Sequence, residues 1–271
     1  MAIEVLAPDI NESFENFSIT DKKIRFGLSA IKNVGINLIK ALIEEREKYS
    51  KFKSIEDFIM RVKNKDLNKK SLESLIKCGA LDKMGERNLF LTNTEQLLNY
   101  ARESQKNYSS GQNSLFGNGN AIELPPLRLT ACAPAAKNEK LNWEKELHGL
   151  FISDHPLRDY EQQIKKIYQT QTIAGLIKPA NGSEFKGKFI KIGGIVTKTQ
   201  KVITKTGQPM FFSWLEDLTS KVEIVVFPKT AERDPGIWRE NNILVVKGKL
   251  NERDGVPKVI CEEVFPIATL S

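Results

Sequence analysis

The stretch that decides the fold of the C-terminal third of the chain is Phe189-Ile190-Lys191-Ile192-Gly193-Gly194-Ile195-Val196. Its β-branched and aromatic residues predict a long β-strand. The two consecutive glycines predict a point where a strongly coiled strand bends. Four further strand-like stretches follow, over residues 210–215, 222–227, 243–246 and 259–264. A short helix is predicted over residues 230–240, between the third and fourth strands.

Five strands with a helix after the third are typical of the OB-fold, a small, partly open barrel that binds oligonucleotides on its strand 2–3 face. In the second strand, simple alternation places Phe212 and Trp214 on one face and Phe211 on the other. A β-bulge would instead bury Phe212 and expose Trp214. Trp214 is therefore either a core residue or a platform on which a base stacks.

Upstream, residues 28–105 show a helical period and predict an all-α domain with short connections. Ser54 and Asp57 predict the start of one helix through a capping interaction, and Gly79 predicts the end of another. The leucines at positions 89, 91, 97 and 98 predict one further helix. The predicted fold class is thus multidomain α + β, with an all-α domain followed by a five-stranded barrel.

Two glycine-containing stretches, residues 30–36 and 75–81, each place a glycine between two short apolar helices. Together they resemble tandem helix-hairpin-helix units, in which backbone amides at a helix N-terminus contact a DNA phosphate without reading the sequence. Asn33 stands where many such hairpins carry a glycine. A helical hairpin that only packs is the alternative. The residues expected to contact duplex DNA are Lys32, Gly35, Lys69, Lys70, Lys77 and Gly79.

The charge of the chain allows a nucleic-acid partner, with 41 Lys and Arg against 34 Asp and Glu, a net charge of +7. No acidic residue occurs between Phe185 and Leu215, although this tract holds six lysines. A soluble surface is the alternative explanation of such a cluster. The residues expected to bind single-stranded DNA are Lys186, Lys188, Lys198, Lys201, Lys205, Phe211 and Trp214.

Several function classes are excluded by the sequence. No apolar run approaches the ~20 residues of a membrane span, so no membrane partner is expected. The three cysteines form no CxxC pair, which disfavours a zinc site or a disulfide framework and favours a cytoplasmic location. No phosphate-binding GxxxxGK[ST] loop is present. No cofactor is expected in this chain.

Residues 106–142 are rich in Ser, Gly, Asn and Pro and predict a flexible linker. Within them, the segment Gln112-Asn113-Ser114-Leu115-Phe116 places a Leu-Phe pair where no core exists for it to join. The pattern resembles the Q-x-x-L-F pentapeptide by which bacterial proteins bind the sliding clamp. We therefore expect Gln112, Leu115 and Phe116 to bind a partner pocket.

The whole chain resembles the C-terminal half of the bacterial DNA polymerase III alpha subunit. The stretches that carry the resemblance are residues 8–13, 24–35, 75–82, 143–157 and 215–218. It implies a remnant of the fingers region over 1–27, a clamp-binding domain over 28–105, the linker over 106–142, a helical connector over 143–182 and an OB domain over 183–271. The implied partners are duplex and single-stranded DNA, the sliding clamp and other replisome subunits.

The same resemblance bears on catalysis, because the family's palm domain carries the carboxylates that hold two metal ions for nucleotidyl transfer. This sequence supplies no such set, so Mg²⁺ is expected only in the palm, and the chain alone is expected to be inactive as a polymerase. The alternative hypothesis is a stand-alone OB module, such as an anticodon-binding domain of an aminoacyl-tRNA synthetase or a nuclease accessory domain.

Overall fold

The computed structural model describes residues 4–63, 65–109, 126–177, 187–233, 236–253 and 255–269. The chain forms two compact units, Met1–Ser153 and Asp154–Ser271. The first unit is mainly helical and the second contains a β-barrel.

Within the described residues, the first unit contains six α-helices and a small sheet. The helices are α1 (Ile36–Tyr49), α2 (Ile55–Arg61), α3 (Lys69–Lys77), α4 (Arg87–Thr92), α5 (Thr94–Ser109) and α6 (Lys137–His148). The strands are β1 (Val5–Leu6), β2 (Ser18–Thr20) and β3 (Lys23–Arg25), in the order β1-β3-β2. The predicted helical period is confirmed, since the apolar faces of α1, α2 and α3 meet in one core that includes Leu38, Phe58 and Leu75.

The N-terminal segment packs on these helices. Ile10 lies in the helical core, its amide donates to Ala80 O at 3.1 Å, and its carbonyl accepts from Arg46 Nη1 at 2.7 Å. The side chain of Asn11 forms a pair of hydrogen bonds with the backbone of Phe52. Hydrogen bonds of Ile10 and Asn11 therefore hold the N-terminal segment against the helical domain.

Local capping rules explain most helix ends. The Ser54 hydroxyl accepts the amide of Asp57 at the start of α2, as predicted. Gly79 has a φ of +85° after α3, which confirms it as the residue that ends this helix. The predicted single helix over residues 89–98 is wrong, because Asn93 separates α4 from α5. The side-chain amide of Asn93 donates to Leu89 O at 2.8 Å and completes the last turn of α4.

Residues 126–136, predicted as linker, lie along α4 and α5; we call them the strap. Asn93 exchanges two hydrogen bonds with the backbone of Thr130, at 2.8 and 2.9 Å. Gln96 and Asn88 donate side-chain amides to Arg128 O and Ala133 O, each at 2.7 Å. The strap leads into α6, which belongs to the first unit.

The second unit is a closed five-stranded barrel, which confirms the predicted fold class. Its strands are β4 (Phe189–Ile203), β5 (Pro209–Glu216), β6 (Lys221–Val226), β7 (Asn242–Arg253) and β8 (Val256–Thr269), and its helices are α7 (Glu161–Tyr168), α8 (Ile173–Ile177) and α9 (Pro228–Ala231). The strands follow one another around the barrel in the order β4-β5-β6-β8-β7, and β7 closes on β4. The pair β6–β8 is parallel and the others are antiparallel.

The double glycine in β4 is explained by close packing. A Cβ on Gly193 would lie 2.2 Å from Ile164 Cγ2 of α7, and a Cβ on Gly194 would lie 2.5 Å from the backbone oxygen of Glu216 in β5. A register shift does occur in β4, but three residues further on, between Val196 and Lys198. The glycines therefore allow one helix and one strand to approach β4.

The predicted helix over residues 230–240 is wrong in extent. The helix observed is α9, a single turn that begins with Pro228, a residue favoured at the first helical position. After it, Trp238 is buried in the barrel core, and Asn242 Nδ2 donates to Ile237 O at 2.8 Å. The burial of Trp238 and the hydrogen bond between Asn242 and Ile237 therefore fix this segment in place of helical hydrogen bonds.

Candidate nucleic-acid interface

The two faces of β5 are set by regular alternation. Phe211, Ser213 and Leu215 are buried, whereas Met210, Phe212 and Trp214 lie on the outer face and are half-buried. The hypothesis that Trp214 belongs to the core is therefore wrong. The assignment of Phe211 to DNA binding also needs correction, because its side chain packs in the barrel core and is only 6% exposed.

Trp214 stands in a row of side chains that crosses four strands. Directly opposite it are Lys198 on β4 and Glu223 on β6, and Glu223 in turn faces Lys258 on β8. The ammonium of Lys198 lies 5.2 Å from the centroid of the Trp214 ring, a cation–π distance. Lys258 Nζ and Glu223 Oε1 form an ion pair at 2.9 Å. We call these four residues the barrel row.

The predicted lysine tract divides between two sides of the barrel. Lys198, Lys201 and Lys205 are exposed and lie on the part of β4 that pairs with β5 or in the turn that joins these strands. Lys188 directly precedes the part of β4 that pairs with β7. Lys186 lies outside the described residues. Lys198 lies on the outer face with Trp214, whereas Lys201 is paired with Phe211 and lies on the other face of the strand.

A second candidate surface lies at the N-terminus of α1. Gly35 is the N-cap residue and no side chain caps this helix, so the first amides are not satisfied by a capping side chain. Lys32 and Asn33 are exposed beside it. Asn33 has a φ of +67° and so occupies the left-handed position itself, which asparagine tolerates better than most residues. Its side chain donates to Ser74 Oγ of α3 at 3.3 Å.

The contact with Ser74 places α3 next to this surface. Lys70 and Lys77 lie four residues before and three residues after Ser74, so they share its face of the helix. Lys70 is exposed and Lys77 is half-buried. Lys69 lies elsewhere, because its ammonium binds Glu95 of α5 at 2.7 Å, a hydrogen bond that raises the pKa of Lys69.

The second hairpin does not offer its backbone to a ligand. Gly79 is buried, its amide donates to Ile76 O, and a Cβ at this position would lie 2.4 Å from Arg87 Nη2. The next helix, α4, is capped by the Glu86 carboxylate, which accepts the amides of Asn88 and Leu89. The predicted phosphate contact at Gly79 therefore needs correction, because the nearby amides already have partners within the fold.

The predicted clamp-binding residues belong to neither of these two surfaces. Gln112, Leu115 and Phe116 fall outside the described residues. Within the described ranges, no three His, Cys, Asp or Glu side chains are placed to hold a metal ion. Among the helices that the structure describes, none is long and apolar enough to cross a membrane.

The sequence reasoning missed two residues of the barrel row, Glu223 and Lys258. Strand alternation could have found Glu223, because it lies between the apolar residues Val222 and Ile224 and must point outward when they point inward. Its position opposite Trp214 depends on the strand register, which the sequence does not reveal.

Two family profiles match the chain. Residues 2–89 match the family described as "Helix-hairpin-helix motif", and residues 190–267 match the one described as "OB-fold nucleic acid binding domain". The chain therefore contains a helix-hairpin-helix region and an OB-fold domain of a nucleic-acid-binding family. They correspond to the helical unit and to the barrel.

Curated relatives define the family. Three of them are named DNA polymerase III subunit alpha: those of Borreliella burgdorferi (35% identical over 278 residues, 100% of this chain and 24% of the relative), Aquifex aeolicus (37% over 268 residues, 97% and 21%) and Saccharopolyspora erythraea (33% over 275 residues, 98% and 23%). The chain belongs with the C-terminal part of bacterial DNA polymerase III alpha subunits. It spans about a quarter of the length of these relatives.

Proposed function

We propose that this chain is the part of a replicative DNA polymerase subunit that binds DNA and the sliding clamp. The observation that carries the proposal is the outer face of β5 on an OB-fold barrel, where half-buried aromatic side chains lie beside the exposed Lys198 of β4. Such barrels bind oligonucleotides on the corresponding strands. The similarity to polymerase subunits over the full length of the chain supports a role in replication.

The barrel face suits single-stranded DNA. A base can stack on the Trp214 ring, and Lys198 beside it can contact the adjoining phosphate. Phe212 lies two residues away on the same face and offers a second ring. Lys205, exposed in the turn between β4 and β5, adds positive charge at the end of this pair of strands. Stacking needs no base-specific contact, so binding to many sequences is expected.

The test compares two aromatic residues that differ mainly in their place on the barrel. Trp214 has Lys198 beside its ring, and Phe189, 55% exposed, has Lys249 at 4.7 Å from its ring on the β4–β7 side. Trp214→Ala should weaken binding of a labelled single-stranded oligonucleotide by about fivefold or more, since stacking contributes ~1–3 kcal/mol per base. Phe189→Ala should leave the affinity unchanged. Equal losses in both variants would contradict the assignment of this face.

The N-terminus of α1 suits a phosphate of duplex DNA. Its amides and the helix dipole favour an anion, and Lys32 and Lys70 add positive charge nearby. Changing both lysines to alanine should weaken duplex binding and lower its salt dependence by about two counterions. Lys69→Ala is the matched control, because Lys69 is already paired with Glu95. Unequal losses for unrelated duplex sequences would contradict phosphate recognition.

The clamp-binding part of the proposal rests on the sequence Gln112 to Phe116. Leu115 and Phe116 would each contribute about 1.5–3 kcal/mol if fully buried in a clamp pocket. Ordering of the segment offsets part of this gain, so the affinity should be roughly micromolar. Replacing both residues with alanine should abolish clamp binding, whereas alanine at Asn113 and Ser114 should not. Unchanged clamp affinity in the first variant would disprove this placement.

A further inference from the structure

Glu223 is an unexpected residue on a face that is proposed to bind a polyanion. Its neighbours Val222 and Ile224 are buried in the barrel core, so the Glu223 side chain lies on the outer face. It stands directly opposite Trp214 in the β5–β6 ladder. Neighbouring strands are about 4.8 Å apart, so a base stacked on Trp214 would have one edge within reach of this carboxylate.

The ion pair with Lys258 makes the carboxylate tolerable at this position. Lys258 Nζ binds Oε1 of Glu223 at 2.9 Å, and both side chains are largely shielded from solvent, at 16% exposed for Glu223 and 23% for Lys258. The pairing holds the carboxylate in place and offsets its repulsion of nearby phosphates. The second oxygen, Oε2, is the acceptor that a ligand could use.

The charge along the barrel row therefore changes sign from one side of Trp214 to the other. Lys198 lies on one side of Trp214 and Glu223 lies on the other. Phosphates are attracted more strongly to the Lys198 side than to the Glu223 side, where the charges of Glu223 and Lys258 offset each other. A strand that stacks a base on Trp214 would thus place its backbone toward β4 and the edge of the base toward β6.

We propose that Glu223 makes this face selective for bases that carry an exocyclic amino group. A carboxylate accepts hydrogen bonds and donates none, and the amino group of cytosine is a donor that it can accept. Thymine and uracil present carbonyl oxygens on both sides of one ring N–H, and these oxygens repel a carboxylate. The inference rests on the proposed binding of single strands by the barrel and adds a base preference to it.

The test compares oligodeoxycytidine with oligodeoxyuridine of about 12 nucleotides, a length within the usual site size of one OB-fold. These oligonucleotides differ at position 4 of the base, where one has an amino group and the other a carbonyl. The full chain should bind the cytidine oligonucleotide about fivefold more tightly at equal salt, the worth of one partly solvated charge-assisted hydrogen bond. Anisotropy of a labelled oligonucleotide measures both affinities.

Glu223→Gln should bring the ratio of the two affinities close to one, because the amide both donates and accepts. Glu263→Gln is the matched control: Glu263 forms an ion pair of the same length, 2.9 Å, with Lys247 between β7 and β8. This control should keep the wild-type ratio. Hydrogen exchange of the β6 amides checks that both variants remain folded.

The outcomes separate the two proposals. Tight binding of both oligonucleotides with a ratio near one in the wild-type chain would overturn the base preference and leave single-strand binding intact. A ratio that persists in Glu223→Gln would also overturn it. Failure of the wild-type chain to bind either oligonucleotide would overturn the proposed function of the barrel face together with the preference.

Discussion

Replacement of Glu144 by glutamine tests how the helical unit is held together. The Glu144 side chain on α6 is 1% exposed and binds Arg87 Nη2 at 3.1 Å. Its other oxygen accepts the amides of Ile152 and Ser153, at 3.1 and 2.9 Å. Arg87 is also buried, with its side chain 4% exposed, and has a second partner in Asp82 at 2.7 Å. The carboxylate thus joins α6 to the second hairpin.

The magnitude follows from which contacts survive. A glutamine can still accept the two backbone amides, but its NH₂ group would face the Arg87 guanidinium. Breaking a buried ion pair destabilises by about 3–5 kcal/mol when one charge is left unpaired. Because Asp82 stays beside Arg87, we expect the low end, about 3 kcal/mol. For a unit of this size that loss lowers Tm by about 6–12 °C.

The assay must report on the helical unit alone, because unfolding of a chain with two units is not a single two-state transition. Hydrogen exchange of the α6 amides under native conditions gives the local free energy of opening. Glu146→Gln, an exposed neighbour on the same helix, is the control and should change this energy by less than about 0.5 kcal/mol. Asp82→Asn should fall between the two, since Asp82 is 48% exposed. Equal protection in Glu144→Gln and Glu146→Gln would refute the reasoning.

Three further outcomes follow from burial and close packing. Cys132 is exposed, whereas burial raises the pKa of Cys78 and of Cys261 to about 12. A thiol reagent at pH 8 should therefore modify Cys132 quickly in the native chain and the other two cysteines slowly. Rapid modification of two or three thiols would contradict this expectation. Burial lowers the pKa of His148 below its ordinary 6.5, so the unfolded chain binds the proton more tightly and the helical unit should lose stability as the pH falls below about 6.5. Thermal melts of His148→Asn between pH 7 and 5 should show a flatter profile, and an unchanged slope would count against the role of this histidine. Gly194→Ala should destabilise the barrel by more than about 2 kcal/mol, because the added Cβ would meet the backbone of β5, which cannot rotate away. Urea unfolding measures this loss of stability. A near-neutral result would be inconsistent with the observed strand spacing.

The barrel could be predicted from the sequence because strand alternation is a local property. The presence of five strands and the opposite faces of Phe211 and Trp214 both follow from a period of two. The sequence does not decide which face of β5 is the outer one, since one bulge reverses the assignment. The structure shows a register shift in β4 between Val196 and Lys198 and none in β5, so alternation in β5 stays regular.

The hairpins show where local reasoning stops. The sequence correctly predicts that Gly79 ends α3, because a positive φ is a local demand. It does not reveal that Gly79 lies against Arg87, nor that Arg87 pairs with Glu144, which is 57 residues further along the chain. A glycine at a helix end can leave the backbone open to a ligand, or it can let another side chain of the protein pack closely against it. Only the tertiary contacts distinguish these two uses.

The strap changes how the proposed clamp peptide should be viewed. From composition, residues 106–142 are a connector between two domains. In the structure, α5 leads into the segment that holds the peptide, and the strap after it returns along α4 and α5 and ends in α6 of the same unit. Three amide side chains hold the strap through its backbone carbonyls, so its sequence need not be apolar for it to pack.

Both flanks of the peptide are therefore fixed to the helical unit, and a clamp bound there would be tethered to the surface at α1 that is proposed to contact duplex DNA. Such tethering would raise the effective concentration of one proposed contact once the other has formed, so that two weak contacts together would bind tightly.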